Sequence, residues 1–261
     1  MATRGFQVMS RAQSTCSILV CLATAGTASA QKQFASPTSD IIVAQMLQAQ
    51  AANRIEFLPY TVTRDYQLFE GETSNLPKSH VVADIVVVPP DSKKYTIQTS
   101  VGSMLAERIV RKALDSEVAF AIDSRATDVT RENYDFVLVG KNELNGRLCY
   151  VLELSPKRKS KNLLRGTLWV DAETYLPRRV EGAPAKDPSW WFTDVRIVLV
   201  YGYVGPMWVQ TSSKASANVR IIGRSTMIWQ DTSYQLGDFP HRTSLAESIA
   251  PAGETSPEGH R

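Results

Sequence analysis

Few side chains in this sequence have the types and spacing that catalysis requires. The three histidines, His80, His241 and His260, stand far apart, and no pair has the spacing of zinc ligands. The sequence also lacks a GxSxG nucleophile elbow, a phosphate-binding P-loop and a GxGxxG fingerprint. Asp171 and Glu173 lie in a turn signal, where Asp is favoured because it bonds to nearby backbone amides. The sequence therefore predicts a protein that is not an enzyme and has no metal site or cofactor.

The first thirty residues have the pattern of a secretory signal peptide. Arg4 and Arg11 precede a short apolar run at 17–27, and Ala28-Ser29-Ala30 forms a small-x-small cleavage signal. The pattern predicts a leader at 1–30, a mature chain from Gln31 and a periplasmic location. Lipidation of Cys21 is the alternative, although the residue before it is not small. No later run reaches the ~20 apolar residues of a membrane-spanning helix.

Charge and cysteine content narrow the class of partner. The leader holds two of the 29 basic residues and none of the 26 acidic residues. The mature chain would therefore carry 27 basic and 26 acidic residues, a balance that excludes the basic surface of a nucleic-acid-binding protein. Cleavage would leave one cysteine, Cys149, whose apolar strand neighbours predict a buried packing residue rather than a nucleophile. The mature chain therefore cannot form an internal disulfide, and we expect a monomer.

The periodicity predicts a mainly β protein of the α+β type. A polar lead-in at 31–39, with Ser39 or Asp40 as N-cap, precedes a helix at 40–54, and a second helix covers 101–122. About eleven strands in meander order account for most of the remainder of a domain at 40–238, and a disordered tail follows at 239–261. Because so many strands in one layer must curl, we expect a curved, half-open antiparallel sheet with helices on its concave face. The second helix should turn an apolar stripe to that face, consisting of Leu105, Ile109, Val110, Ala113 and Leu114.

Two short stretches are candidates for surface contacts. The densest charge run contains Lys157, Arg158, Lys159 and Lys161, and it fits either a solvated turn or a contact for an anionic membrane or an acidic partner. The stretch "DPSWWFTD" would point Trp190 and Trp191 to opposite faces if it were extended. One indole could then pack in the core while the other lines a cavity or an edge.

The stretch at 133–186 resembles the outer-membrane lipoprotein-sorting family, the LolA- and LolB-like carriers, together with their RseB-type relatives. A strand "G-x-x-W-V-D", an acidic turn and the run "Y-L-P-R-R-x-E" carry the resemblance. The positions concerned are Gly166, Trp169, Val170, Asp171, Thr174, Tyr175, Leu176, Pro177, Arg178, Arg179 and Glu181. A weaker likeness, in the order of the elements, extends over about 40–236.

The resemblance implies a half-barrel whose apolar cavity holds acyl chains, with a lipid or an acylated lipoprotein as cargo and a membrane protein as acceptor. A periplasmic sensor that binds lipoprotein and a membrane-protein partner is the alternative. Apolar residues of the second helix and of the sheet are the cavity candidates, namely Leu105, Ile109, Val110, Leu114, Trp169, Trp191, Val198, Val200 and Trp208.

Overall fold

The computed structural model describes residues 37–71, 76–122, 124–220 and 223–237. The predicted leader, most of the lead-in and the predicted tail lie outside these ranges. In chain order the elements are α1 (Ser39–Ile55), β1 (Tyr60–Glu70), β2 (Ser79–Val88), β3 (Ser92–Val101), α2 (Met104–Ile122), β4 (Tyr134–Leu144), β5 (Arg147–Pro156), β6 (Leu164–Asp171), β7 (Pro177–Pro184), β8 (Phe192–Val204), β9 (Met207–Val219) and β10 (Gly223–Leu236). Within the described ranges, neither helix has the length and apolar character to cross a membrane.

All ten strands form one open antiparallel sheet in the order β3-β2-β1-β10-β9-β8-β7-β6-β5-β4. The chain builds β1 to β3 outward to one edge, and α2 then carries it to β4 at the other edge. From β4 the strands return as a meander until β10 pairs with β1. The predicted half-barrel with two helices on its concave side is therefore the observed architecture.

The strand count differs from the prediction because one strand was split wrongly. The sequence predicts a separate strand at 217–225, but 217–219 belong to β9 and 223–225 to β10, and these two strands pair with each other from Gly223 opposite Val219. The residues Gly182-Ala183-Pro184 predict a turn, and this prediction is wrong, because Gly182 lies within β7 opposite Gly166 of β6. A Cβ on Gly166 would lie 2.0 Å from a backbone oxygen of the neighbouring strand, so glycine at this position allows the two strands to approach closely.

The helix boundaries follow from their caps. Thr38 caps α1, accepting a hydrogen bond from the Ile41 amide at 3.4 Å, so neither Ser39 nor Asp40 is the N-cap. α2 begins at Met104 rather than at residue 101, because Val101 still pairs with His80 in the sheet. The Ser103 side chain accepts a hydrogen bond from the Ala106 amide at the start of α2.

Two apolar cores lie side by side on the sheet. One packs α1 against β4 to β8 and contains Ile42, Met46, Leu152 and Leu168 among its buried residues. The other packs α2 against β1, β2 and β10 and is built from eight buried residues, Val62, Tyr66, Val81, Ala83, Ile85, Val110, Leu114 and Trp229. The two helices thus cover different parts of the sheet. Cys149 is buried and unpaired, which confirms it as a packing residue.

Candidate ligand-binding face

The strand register shows that both helices lie on the same face of the sheet. Side chains of directly paired residues point to the same side of a sheet, so a row of pairs traces one face. One such row joins Tyr66 under α2 to Leu168 under α1, through Trp229, Ser213, Leu199 and Val180. We call the side of the sheet to which this row points the inner face, and the opposite side the outer face.

α1 crosses its part of the inner face diagonally. At its beginning, Asp40 forms an ion pair with Arg131, just before β4. At its end, the Asn53 amide donates to the Trp208 carbonyl at 2.8 Å and accepts from the Trp208 amide at 2.7 Å, at the start of β9. The diagonal path leaves the opposite ends of β8 and β9 outside the contacts of α1.

α2 lies against β2 and β3 at the other side of the inner face. Ala106, Val110 and Leu114 are its buried positions, spaced four residues apart, and they point to the sheet. Leu105 is 49% exposed, so the prediction that it faces the sheet is wrong. The next residue, Ala106, faces the sheet instead. Ile109 lies at the margin of the contact and is half-buried.

Between the two helices runs a strip of half-buried apolar side chains. A second register row connects these side chains, from β1 through β10 and β9 to β8. We define the central strip as the four residues of this row, Leu68, Met227, Ala215 and Ile197, together with Leu199 of the first row. Ala215 and the neighbouring Ser213 are small, so β9 forms the low middle of the strip. An elongated apolar molecule could lie along this floor between α1 and α2.

The structure divides the predicted cavity residues between the two faces. Val110 and Leu114 belong to the core under α2, and the Trp208 indole is buried beside Tyr203 at the start of β9, where it donates to the Pro177 carbonyl at 2.7 Å. Val198 pairs with Glu181, and Trp169 and Val200 both pair with Arg179. These three apolar residues lie on the outer face, because each is next to an inward residue of its strand. They therefore cannot line one inner cavity with Val110.

Trp191 does not belong to any strand of the sheet. Trp190 and Trp191 belong to the connection before β8, and their ring centroids are 4.1 Å apart. Their exposed fractions are 62% and 39%. The chain turns here instead of being extended, so the condition under which the two indoles would point to opposite faces is not met.

The outer face has a hollow of its own, of about 540 Å³. Its lining mixes charges of both signs with an indole and includes Arg165, Thr167, Trp169, Glu181 and Arg196. The Arg179 guanidinium lies 5.5 Å from the Trp169 ring centroid and donates to Glu181 at 2.7 Å. Such a polar, open hollow does not suit an acyl chain, which favours the central strip as the apolar site.

A buried ionic cluster ties α2 to the sheet beside the central strip. Arg64 of β1 is 5% exposed; its Nε donates to Asp231 Oδ1 at 2.6 Å, and its Nη1 donates to both carboxylate oxygens of Glu117 at 3.0 Å. Lys93 of β3 also contacts Glu117, at 3.1 Å. The Arg64 guanidinium carbon lies 3.6 Å from the centroid of the Trp229 ring. We call Arg64, Lys93, Glu117 and Asp231 the ionic cluster.

Opposite charges hold Arg64 and Glu117 of the ionic cluster in their charged forms. Burial disfavours the charged guanidinium of Arg64, but Glu117 and Asp231 outweigh that effect and raise its pKa. Burial would likewise raise the pKa of Glu117, yet the charges of Arg64 and Lys93 lower it below its ordinary value. Burial and the hydrogen bond to Asp231 raise the pKa of Tyr234, whose hydroxyl donates to Asp231 Oδ2. The cluster is thus a fixed anchor for α2.

The turn after β6 is held together by Asp171, which is 1% exposed. Its Oδ1 accepts from the amides of Glu173 and Thr174, both at 2.9 Å. Its Oδ2 accepts from Arg147 at 3.3 Å and from Arg178 at 3.1 Å. The acidic turn of the sequence motif is therefore structural, as its composition predicted.

This environment gives folding stability a specific pH dependence. Burial would raise the pKa of Asp171, but the two amides and Arg147 lower it from 3.8 to about 2. Because the folded pKa is the lower one, the contribution is present above about pH 4 and is lost as the pH falls towards 2. We expect Asp171→Asn to cost about 2 kcal/mol of unfolding free energy at neutral pH. Urea denaturation at several pH values should show this difference shrinking towards pH 2, and a constant difference would contradict it.

The basic run divides into structural and free cations. Lys157 donates to the Arg131 carbonyl at 2.7 Å. Arg158 donates to Asn133 and to the Ala126 carbonyl, each at 2.6 Å, which fastens the turn to the connector before β4. Lys159 and Lys161 are exposed and have no ion-pair partner among the residues that the structure describes. All four side chains are exposed, but Lys157 and Arg158 also hold the turn in place through their hydrogen bonds.

Comparisons with known proteins found one family model and several solved structures that are similar to this chain. A family model described as an uncharacterized protein matches residues 112–237, from α2 through β10. A putative outer-membrane lipoprotein-sorting protein domain from Vibrio parahaemolyticus is similar at 14% identity and a TM-score of 0.43, over 78% of this chain and 94% of that one. No curated protein matches the chain.

Two further solved structures show the same likeness at low identity. A DUF1329 family protein from Desulfovibrio piger is 13% identical, with a TM-score of 0.43, over 77% of this chain and 94% of that one. A LolA superfamily protein from Nitrosomonas europaea is 11% identical, with a TM-score of 0.33, over 78% of this chain and 96% of that one. Each match extends over nearly all of the other protein.

Proposed function

We propose that this protein is a periplasmic carrier that binds a lipid or the acyl chains of a lipoprotein on the inner face of its half-barrel. The central strip is the observation that carries the proposal. Its five apolar side chains form a continuous floor between α1 and α2 and are only half-buried by the protein itself. An acyl chain on this floor would remove apolar surface of both partners from water, at ~0.8 kcal/mol per buried methylene.

The ionic cluster supports the proposal by fixing one wall of the site. Glu117 of α2 is held by Arg64 of the sheet and by Lys93 of β3. A wall that is fixed before the ligand arrives reduces the ordering cost of binding. Release would then depend on an acceptor that competes for the acyl chain rather than on a chemical step.

The hollow on the outer face does not compete for this role. It is open and lined by side chains of both charges. A lipid tail buried there would remove those charges from water without offering them hydrogen bonds, which is unfavourable in free energy.

The experiment that tests this proposal is native mass spectrometry of the protein purified without detergent. We expect an additional mass that organic extraction removes and that fragmentation identifies as a phospholipid or an acylated peptide. Protein without such a mass, even after incubation with lipid vesicles, would contradict carrier function. A bound membrane-protein fragment in place of lipid would favour the alternative, a sensor of lipoproteins.

A further inference from the structure

Three connections lie side by side along one rim of the half-barrel. They are the β5–β6 connection at 157–163, the β7–β8 connection at 185–191 and the start of the β9–β10 connection at Arg220. The Ala185 amide donates to the Leu163 carbonyl at 2.8 Å, which joins the first connection to the second. The Arg220 amide donates to the Trp191 carbonyl at 3.1 Å, which joins the second to the third. We call these three segments together the connection rim.

The connection rim exposes two large aromatic side chains. Trp190 and Trp191 contact each other, and the Arg220 guanidinium lies 5.0 Å from the ring centroid of Trp190. The backbone beneath them is ordered by Ser189, whose side chain accepts from the Trp191 amide and whose carbonyl accepts from the Phe192 amide. Two adjacent indoles at a surface turn are apolar surface that the folded chain does not bury.

The same rim is strongly cationic. The three connections contain six basic residues and one acid, Asp187. Lys157 and Arg158 are bound to the connector before β4, as described above. Four exposed cations remain without an ion-pair partner among the residues that the structure describes, namely Lys159, Lys161, Lys186 and Arg220.

We propose that the connection rim docks on an anionic phospholipid surface, with Trp190 and Trp191 in the headgroup region. Indoles favour the membrane–water interface because they combine an apolar ring with a polar N–H group. Cations around them are attracted by the negative surface potential of anionic lipids. The strip residues Leu68, Met227 and Ile197 lie on the parts of their strands nearer to this rim, so docking would bring that end of the inner face to the membrane. The docking surface itself is independent of whether the strip binds a ligand.

Vesicle flotation tests the proposal. The full chain is mixed with vesicles of phosphatidylcholine alone or with phosphatidylglycerol added, at low and moderate salt. We expect the wild type to float with the anionic vesicles and the double variant Trp190→Ser/Trp191→Ser to lose about tenfold or more in partitioning. Tyr203→Ser is the matched aromatic control, because Tyr203 is 60% exposed near the opposite rim, and it should float like the wild type.

A second set of variants separates the charges from the indoles. Replacing Lys159, Lys161, Lys186 and Arg220 by Ser should abolish the preference for anionic vesicles, and moderate salt should mimic this change. Arg108→Ser with Lys112→Ser, on the exposed side of α2, is the charge control and should leave flotation unchanged. Equal flotation of the wild type and the tryptophan variant would overturn the proposal.

Quenching by brominated lipids reports whether the indoles enter the interface. Anionic vesicles with brominated acyl chains should quench the wild-type fluorescence and should leave the tryptophan double variant nearly unquenched. Flotation without any quenching would contradict insertion and would indicate contact through charge alone. Binding of a fluorescent fatty acid should be the same in both proteins, so a failure of docking is distinguishable from a failure of the carrier function.

Discussion

Replacement of Arg64 by Met should destabilise the fold more than any surface substitution in this chain. Arg64 is buried between Glu117 and Asp231, and its removal leaves the Asp231 carboxylate, 2% exposed, without its cation. Removing one partner of a buried ion pair typically costs about 3–5 kcal/mol, because the remaining charge stays uncompensated. We expect a loss of that size in urea denaturation followed by circular dichroism. The cation contact with Trp229 would be lost as well.

Two controls sharpen this prediction. Arg111→Met removes a cation of similar size from an exposed pair with Glu107 in α2 and should leave stability essentially unchanged. The double variant Arg64→Met/Asp231→Asn removes the uncompensated charge and should recover part of the lost stability. A loss under about 1 kcal/mol for Arg64→Met, or no recovery in the double variant, would contradict the anchoring role of the cluster.

The class of fold could be predicted from the sequence because each element has a strong local signal. Alternation of apolar residues marks β2, whose buried residues recur at every second position. Asn145-Gly146 marks the β4–β5 hairpin, and both residues have the positive φ angles that such a two-residue turn requires. These signals involve neighbours in the chain, so no knowledge of distant contacts is needed to interpret them.

The face of each strand could not be predicted where both faces are apolar. In β8 the sequence offers Ile197 and Leu199 for one face and Val198 and Val200 for the other. Only the pairing with β7 and β9 shows that Ile197 and Leu199 lie on the inner face. An irregularity in the pairing between Val200 and Tyr201 also shifts the register, which strict alternation does not anticipate.

The ionic cluster was missed because its members are distant in sequence. Arg64 and Glu117 are separated by 53 positions, and Arg64 and Asp231 by 167. One signal was present, since Arg64 alternates with Val62 and Tyr66 and therefore shares their buried face. A charged residue at an inward position of a strand indicates a partner elsewhere, although not which one.

Replacement of Ile197 by Glu should have the largest effect on ligand binding. Ile197 lies in the central strip, paired with Ala215 across β8 and β9. A carboxylate there would lose water when an acyl chain covers it, which costs several kcal/mol unless the charge finds a partner. A loss of about 3 kcal/mol corresponds to a roughly hundredfold weaker dissociation constant. Ile197 is only half-buried by the protein, so the empty variant should still fold.

The adjacent residue provides the matched control. Val198 is also half-buried, in the same strand, but it pairs with Lys214 and Glu181 on the outer face. Val198→Glu therefore introduces the same charge at a distance of one residue without entering the proposed site.

Titration of a fluorescent fatty acid into the wild type, Ile197→Glu and Val198→Glu tests the central claim most directly. Circular dichroism first establishes that all three proteins are folded. We expect wild-type affinity for Val198→Glu and a roughly hundredfold loss for Ile197→Glu. Equal binding by all three proteins, or a loss confined to Val198→Glu, would contradict the inner face as the ligand site.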